Sequence, residues 1–229
     1  MKKIALIGAG KTGSHVSRLT RTDEVVKEFT STDKPTVKSL MGLDAAIIFV
    51  PGDAAEELIA PLLKAGIPSV WGTTGFAWPA DLPERVKVSG SRWVLASNFS
   101  LGMSLVRRCL QLIGKGSSIL DDPTFLIHEV HHKDKKDKPS GTAIKWEEWL
   151  GLPDVQISSK REGDVKGIHT LQVKTRFETI TLKHEAHDRA VFARGALWAA
   201  RYLIETPNLM SGVYSFESLV DRELMDPHE

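Results

Sequence analysis

Ile4-Ala5-Leu6-Ile7-Gly8-Ala9-Gly10-Lys11-Thr12-Gly13 opens the chain with a short apolar run that breaks into a glycine turn. A helix-compatible segment, Ser14 to about Thr20, follows directly, and then a second strand candidate, Val25 to Phe29. Strand, glycine turn, helix, strand is the context in which Gly-x-Gly-x-x-Gly reads as a dinucleotide fingerprint and not as an ordinary turn. Gly8 permits the tight turn, Gly10 lets the backbone approach a pyrophosphate, and Gly13 lets the helix pack closely on the strand. The helix start then faces the phosphates.

Further strand candidates recur at Ala45 to Val50, Ser69 to Trp71 and Trp93 to Ala96, with helical stretches at Ala54 to Ala65 and Asp81 to Val88. That alternation predicts a Rossmann-like, doubly wound parallel sheet with helices on both faces. Ligands on such sheets bind at the carboxyl ends of the strands. Three segments fall there: Pro51-Gly52-Asp53, Gly72-Thr73-Thr74-Gly75 and Ser97-Asn98-Phe99-Ser100. The residues after Phe29 would meet the adenosine ribose. They read Thr30-Ser31-Thr32-Asp33-Lys34: three hydroxyls come first where NAD-binding chains carry an acid, and a lysine follows, which leans to NADPH over NADH, with Asp33 on the ribose of NAD as the alternative.

After Ser100 the pattern changes. Leu101 to Ile113 reads as a helix and Phe125 to Val130 as a strand ending at a histidine pair, while 151 to 167 reads as a polar, irregular loop. His169 to Thr175 and Glu178 to His184 alternate with period two and are separated by Arg176 and Phe177, a hairpin in an antiparallel sheet that is open or covered by a partner. Arg189 to Glu205 reads as a helix; Gly212 to Phe216 reads as a short extended piece before a final helical turn. The fold class is therefore α/β. Residues 1–101 with 190–229 form the dinucleotide-binding domain, and 102–189 an inserted α+β domain with a mixed or antiparallel sheet for substrate and oligomer contacts.

Composition narrows the partners. The 229 residues carry 30 Lys and Arg against 29 Asp and Glu, a formal charge of +1 that argues against nucleic acid and acidic membranes. No apolar run has membrane-spanning length and no signal-peptide pattern precedes the first strand, so a cytoplasmic protein is expected. The single cysteine, Cys109, is expected to be a buried thiol, and no metal site is expected.

The densest chemistry lies in His131-His132-Lys133-Asp134-Lys135-Lys136-Asp137-Lys138-Pro139-Ser140-Gly141-Thr142-Ala143, which leads into a helix ending near Leu150. Imidazoles, ammonium groups and free N–H groups at a helix start suit a small substrate with more than one carboxylate. Hydride transfer to an unsaturated carbon calls for a proton, which His131 or Lys135 could supply. A charged loop with an ordinary Ser cap is the bland alternative.

The same stretch resembles the 4-hydroxy-tetrahydrodipicolinate reductase (dihydrodipicolinate reductase) family. Its signature Glu-x-His-His-x-x-Lys-x-Asp-x-Pro-Ser-Gly-Thr-Ala is matched from Glu129 to Ala143. Gly72 to Gly75, Asn98-Phe99-Ser100-x-Gly102, Gly167-x-His169, Glu178, and His184-x-Ala186-x-x-Arg189-x-x-Phe192-Ala193-x-Gly195-Ala196 are similar to further family motifs. The resemblance implies that His131 is proton donor and acceptor and Lys135 proton donor, with His132, Ser140, Gly141 and Thr142 on the substrate carboxylates. It implies a nicotinamide cofactor over Gly8, Ala9, Gly10, Lys11, Thr12 and Gly13, over Gly72, Thr73 and Thr74, and over Ala96, Ser97, Asn98 and Phe99. It also implies a homotetramer and a reaction that reduces a cyclic dicarboxylate with loss of water. Lys133, Lys136 and Lys138 are then the least important members of the run. The chain departs from the family where its fingerprint is shorter, and where Ile48-Phe49-Val50 replaces Asp-Phe-Ser/Thr. Another Rossmann-type oxidoreductase and a catalytically silent nucleotide sensor are the competing readings.

Overall fold

A computed structural model describes residues 1–225, which fall into two compact units: Met1–Ser100 together with the chain from Arg189 onward, and Leu101–Asp188. Residues 226–229, where the sequence reading ends its first domain, lie outside the described residues. The chain runs β1 (Lys2–Ile7), α1 (Ser14–Leu19), β2 (Glu24–Phe29), α2 (Val37–Leu40), β3 (Ala45–Ile48), α3 (Glu56–Ala65), β4 (Ser69–Trp71), α4 (Leu82–Val88) and β5 (Arg92–Leu95). The second unit follows as α5 (Leu101–Gly116), β6 (Thr124–His131), α6 (Gly141–Leu150), β7 (Gln156–Arg161), β8 (Ile168–Lys174) and β9 (Thr179–Glu185). The chain then returns to the first unit with α7 (Ala190–Glu205), β10 (Gly212–Ser215) and α8 (Phe216–Met225).

In the first unit six strands pair in the order β10-β5-β4-β3-β1-β2, all parallel. Parallel strands buried on both faces need apolar residues at every position, and Ile4 to Ile7 and Ala45 to Ile48 supply them. Ala5, Ile7, Ala46, Ile48 and Trp71 join Leu40, Leu58, Ile59, Leu62 and Val86 of α2, α3 and α4 in one core. The other face takes α7, which lies against β3 and β4 beside α1. Its Gly195 lets the helix approach the turn after β5, because a Cβ there would sit 1.7 Å from the Phe99 carbonyl oxygen. The ion pair Arg201 to Glu24, 2.6 Å and 2.9 Å, ties α7 to the start of β2.

In the second unit the order is β7-β6-β8-β9, with β6 and β7 parallel and the other pairs antiparallel. One face packs on α5 and α6: Met103, Val106, Leu110, Trp146 and Leu150 meet Ile127, Leu171 and Val173. Gly114 lets the two helices touch, since its Cβ would lie 1.9 Å from the Leu150 carbonyl oxygen. The other face carries half-buried Leu126, His128, Val130, Thr170 and Gln172.

Three expectations are corrected here. The span 151–167 is not loop throughout, for β7 lies inside it; its sequence, QISSKR, holds one apolar residue because it is an edge strand whose outer positions meet solvent. The final helical turn is a ten-residue helix, α8, anchored by buried Phe216 and Leu219. Cys109 is exposed, because α5 turns Met103, Val106 and Leu110 to the core and puts the residue before Leu110 about 100° away. Among the described residues no helix is long and apolar enough to cross a membrane.

Candidate functional site

In the first unit the glycine turn leaves β1 with Gly8 at φ +94°, a backbone setting that disfavours any side chain. A Cβ on Gly8 would fall 2.4 Å from the Phe49 carbonyl oxygen, and one on Gly13 would fall 2.0 Å from that of Gly8. A Cβ on Gly10 would meet nothing within 4 Å. The three glycines therefore separate into two that permit close chain packing and one that leaves open backbone, which fits a pyrophosphate passing over the turn. Ala9 and Lys11 are exposed and Thr12 half-buried.

Two cavities flank this turn. One, of about 370 Å³, is lined by Gly8, Gly10, Thr30, Ser31, Lys34 and Glu57 over a floor that includes Phe29 and Leu58. Lys34 Nζ lies 2.7 Å from Glu57 Oε2, an ion pair that links the segment after β2 to α3. The other, of about 260 Å³, is lined by Thr12, Phe49, Gly72, Thr74, Ser97, Asn98, Phe99 and Phe192. Its shape depends on Gly72, whose Cβ would sit 2.3 Å from the Phe49 ring. Asn98 Oδ1 accepts from the Ser100 N–H at 2.8 Å, which closes the turn after β5. Thr73 is buried, with its hydroxyl unpaired among the described residues, and neither it nor Ala96 lines this cavity.

In the second unit the period of two along β6 puts Ile127, Glu129 and His131 on the helix-covered face. Glu129 is fully buried at the polar end of an otherwise apolar surface. Register decides its company: Ser159 of β7 and His169 of β8 lie opposite Glu129, and Arg161 of β7 lies opposite His131. Glu129 Oε2 accepts from His131 Nδ1, while Oε1 accepts from Arg161 Nη1 at 2.9 Å. Burial pushes the Glu129 carboxyl up, but hydrogen bonds from Ser159, Arg161 and His131 outweigh it and hold the group below its ordinary value.

Burial also lowers the His131 pKa; Glu129 opposes that shift, and the charges of Lys135 and Arg161 add to it. His169 is pushed down to about 3, first by burial and then by His131, so it is neutral at physiological pH. Its Nε2 lies 3.2 Å from Ser140 Oγ and its ring packs edge-on against His131 at 5.0 Å. Gly167 stands where a Cβ would come within 3.2 Å of His131 Nε2, which leaves that ring nitrogen room.

Ser140 caps α6, its hydroxyl accepting from the Ala143 N–H at 3.2 Å, and so leaves the Gly141 and Thr142 amides at the first positions of the helix. Lys135 is half-buried in the segment between β6 and α6, with its ammonium 2.8 Å from Asp137 Oδ1. His132 is half-buried beside it, whereas Lys133, Lys136 and Lys138 are exposed.

Three residues of this cluster are missing from the sequence-derived set: Glu129, Arg161 and His169. His169 was accessible, because the alternation His169, Leu171, Val173 assigns it to the apolar face. Glu129 shares that face with His131 by its spacing of two. Arg161 had no signal, since its place follows only from the parallel register of β7. Glu129, His131 and His169 could also be read as metal ligands, their ligand atoms lying within 4.8 Å of one another. Arg161 and His131 already occupy the two Glu129 oxygens, so an ion there would have to displace one of them.

Comparison with known proteins places the chain. The family described as "Dihydrodipicolinate reductase, C-terminus" matches residues 105–220. The 4-hydroxy-tetrahydrodipicolinate reductase of Thermosipho africanus is 35% identical over 203 residues, 86% of this chain and 82% of that protein. That of Christiangramia forsetii is 33% identical over 87% of this chain and 91% of its own length. Among solved structures, dipicolinate-bound dihydrodipicolinate reductase from Paenisporosarcina sp. TG-14 shares the fold at a TM-score of 0.76 and 19% identity, covering 95% of this chain and 99% of that one. The family match over residues 105–220 and the relatives of 33–35% identity over most of the chain, together with the full signature from Glu129 to Ala143, show that the chain belongs to the dihydrodipicolinate reductase family.

Proposed function

We propose that this protein uses a reduced nicotinamide nucleotide to convert 4-hydroxy-tetrahydrodipicolinate to tetrahydrodipicolinate with loss of water, in the route to diaminopimelate and lysine. The observation that carries the reading is the cluster in which His131, held by buried Glu129, accompanies Lys135 and a capped helix start at Ser140 to Thr142. The first unit would bind the nucleotide and the second the dicarboxylate.

A bound reduced nicotinamide supplies the hydride for ring C4. Reduction adds one hydride and one proton, and departure of the 4-hydroxyl as water balances the remaining atoms. Ionised Glu129 can only accept, so neutral His131 donates its Nδ1–H and keeps Nε2 as the working nitrogen. Its lowered pKa makes the resting ring neutral near pH 7. Two substrate carboxylates favour the cationic ring, so His131 takes up a proton on binding and delivers it as the hydride arrives. Lys135 offsets charge that develops on the ring. His132, Ser140 and the Gly141 and Thr142 amides hold the carboxylates; the ten-residue α6 adds its positive end.

In the nucleotide site, Thr30, Ser31 and Lys34 favour a 2′-phosphate, so the chain takes NADPH over NADH, with Glu57 competing for Lys34. The half-buried outer face of the second sheet suits a homotetramer. Replacing both His131 and Lys135 by Ala should lower kcat by orders of magnitude while nucleotide Kd, read from nicotinamide fluorescence, stays within about twofold. Wild-type turnover in that variant would refute the assignment.

A further inference from the structure

We infer that Arg161 is a positioning residue that sets both proton-handling groups at once, the His131 ring through Glu129 and the Lys135 segment through two backbone carbonyls. Its three donor nitrogens point in three directions. Nη1 donates to Glu129 Oε1 at 2.9 Å, Nε to the Lys135 carbonyl at 3.3 Å, and Nη2 to the Asp137 carbonyl at 2.5 Å. A planar guanidinium holds these donors in fixed relation, so partners that bind it together are fixed relative to one another.

Each partner matters for a different reason. Glu129 has both carboxylate oxygens engaged, so the oxygen that receives Arg161 orients the one that receives His131. The segment from His132 to Pro139 has no helix or strand of its own. It is held at its start by Lys133 N–H to the Gly163 carbonyl at 3.3 Å, and Arg161 holds it at Lys135 and Asp137. Lys135 is thereby kept half-buried near His131, and its charge lowers the His131 pKa. The charged or titratable groups facing His131 are Glu129 on its own strand, Arg161 on β7, His169 on β8 and Lys135. Removing the Arg161 charge raises the His131 pKa; replacing it by lysine preserves the charge but cannot span all three acceptors.

The roles of His131 and Lys135 rest on the reductase reading, whereas the clamp itself is observable without turnover. The test uses full-length R161M and R161K with ¹⁵N-labelled histidine. In R161M the His131 titration should move to higher pH, and in R161K it should stay at the wild-type position. Kinetically, R161K should lose about tenfold to a hundredfold in kcat through the freed Lys135 segment, with nucleotide Kd unchanged. An unmoved His131 titration in R161M, or wild-type kcat in R161K, would overturn the clamp. R161K keeps the proposal decidable if R161M does not fold. Shifted titration in a protein that never turns over would uphold the clamp and reject the reductase reading.

Discussion

At the residue scale, the second unit keeps several ionisable groups where water barely reaches. Glu129, His131 and His169 stay there because each is hydrogen-bonded and the one buried negative charge faces a guanidinium. His169 carries a consequence for stability. Folded, it protonates only near pH 3; unfolded, it protonates near the ordinary histidine value of 6.5. Between those values the unfolded chain holds the extra proton, so stability falls as pH falls from about 6.5 towards 3. Urea unfolding at pH 7 and pH 5 should show this loss, and His169→Gln should reduce it. An equal loss in the variant would assign the effect elsewhere. That His131 ends a strand and Lys135 follows it in a loop was legible in the sequence, because an apolar run before them and the Pro-Ser-Gly turn after them bracket the segment. Arg161 was not, because its relevance is created by hydrogen-bond register between strands 32 residues apart in sequence.

At the element scale, what decided legibility was burial on both faces or one. Strands β1, β3 and β4 are buried along Ile4–Ile7, Ala45–Ile48 and Ser69–Trp71 and read there as mostly apolar runs, so their positions followed from the sequence to within two residues. Strand β7 is polar and lies at an edge, so it imitated a loop. Helix α5 read correctly as a helix, but assigning Cys109 to its core required the phase of the turn as well as its apolar content. The tie between β2 and α7 also escaped the sequence, since Glu24 and Arg201 are 177 residues apart. The Glu24 carboxylate is fully buried and its hydrogen bond from Arg201 is the main cause of its lowered pKa. Arg201→Met strands that charge and should cost about 3–5 kcal/mol of unfolding free energy. Adding Glu24→Leu should restore much of the loss. Additive losses in the double variant would contradict a specific pair.

At the scale of the whole molecule, a parallel sheet bearing a glycine turn and a mixed sheet bearing the buried cluster of Glu129, His131 and His169 accompany each other in one chain. The alternation of strands and helices foretold the first, and the two period-two runs foretold part of the second. The outer face of the mixed sheet holds apolar Leu126 and Val130 among His128, Thr170 and Gln172, a surface of the kind that identical copies cover. Sedimentation equilibrium should give a mass of about four 25.3 kDa chains; a monomer at micromolar concentration would contradict the tetramer.

The reaction can be followed directly in the wild-type protein. The purified protein is added to a synthase reaction that generates 4-hydroxy-tetrahydrodipicolinate, with NADPH or NADH present, and loss of reduced-nicotinamide absorbance is followed. Oxidation should require the synthase product and run faster with NADPH. Absence of product-dependent oxidation with either nucleotide would contradict the proposed reaction.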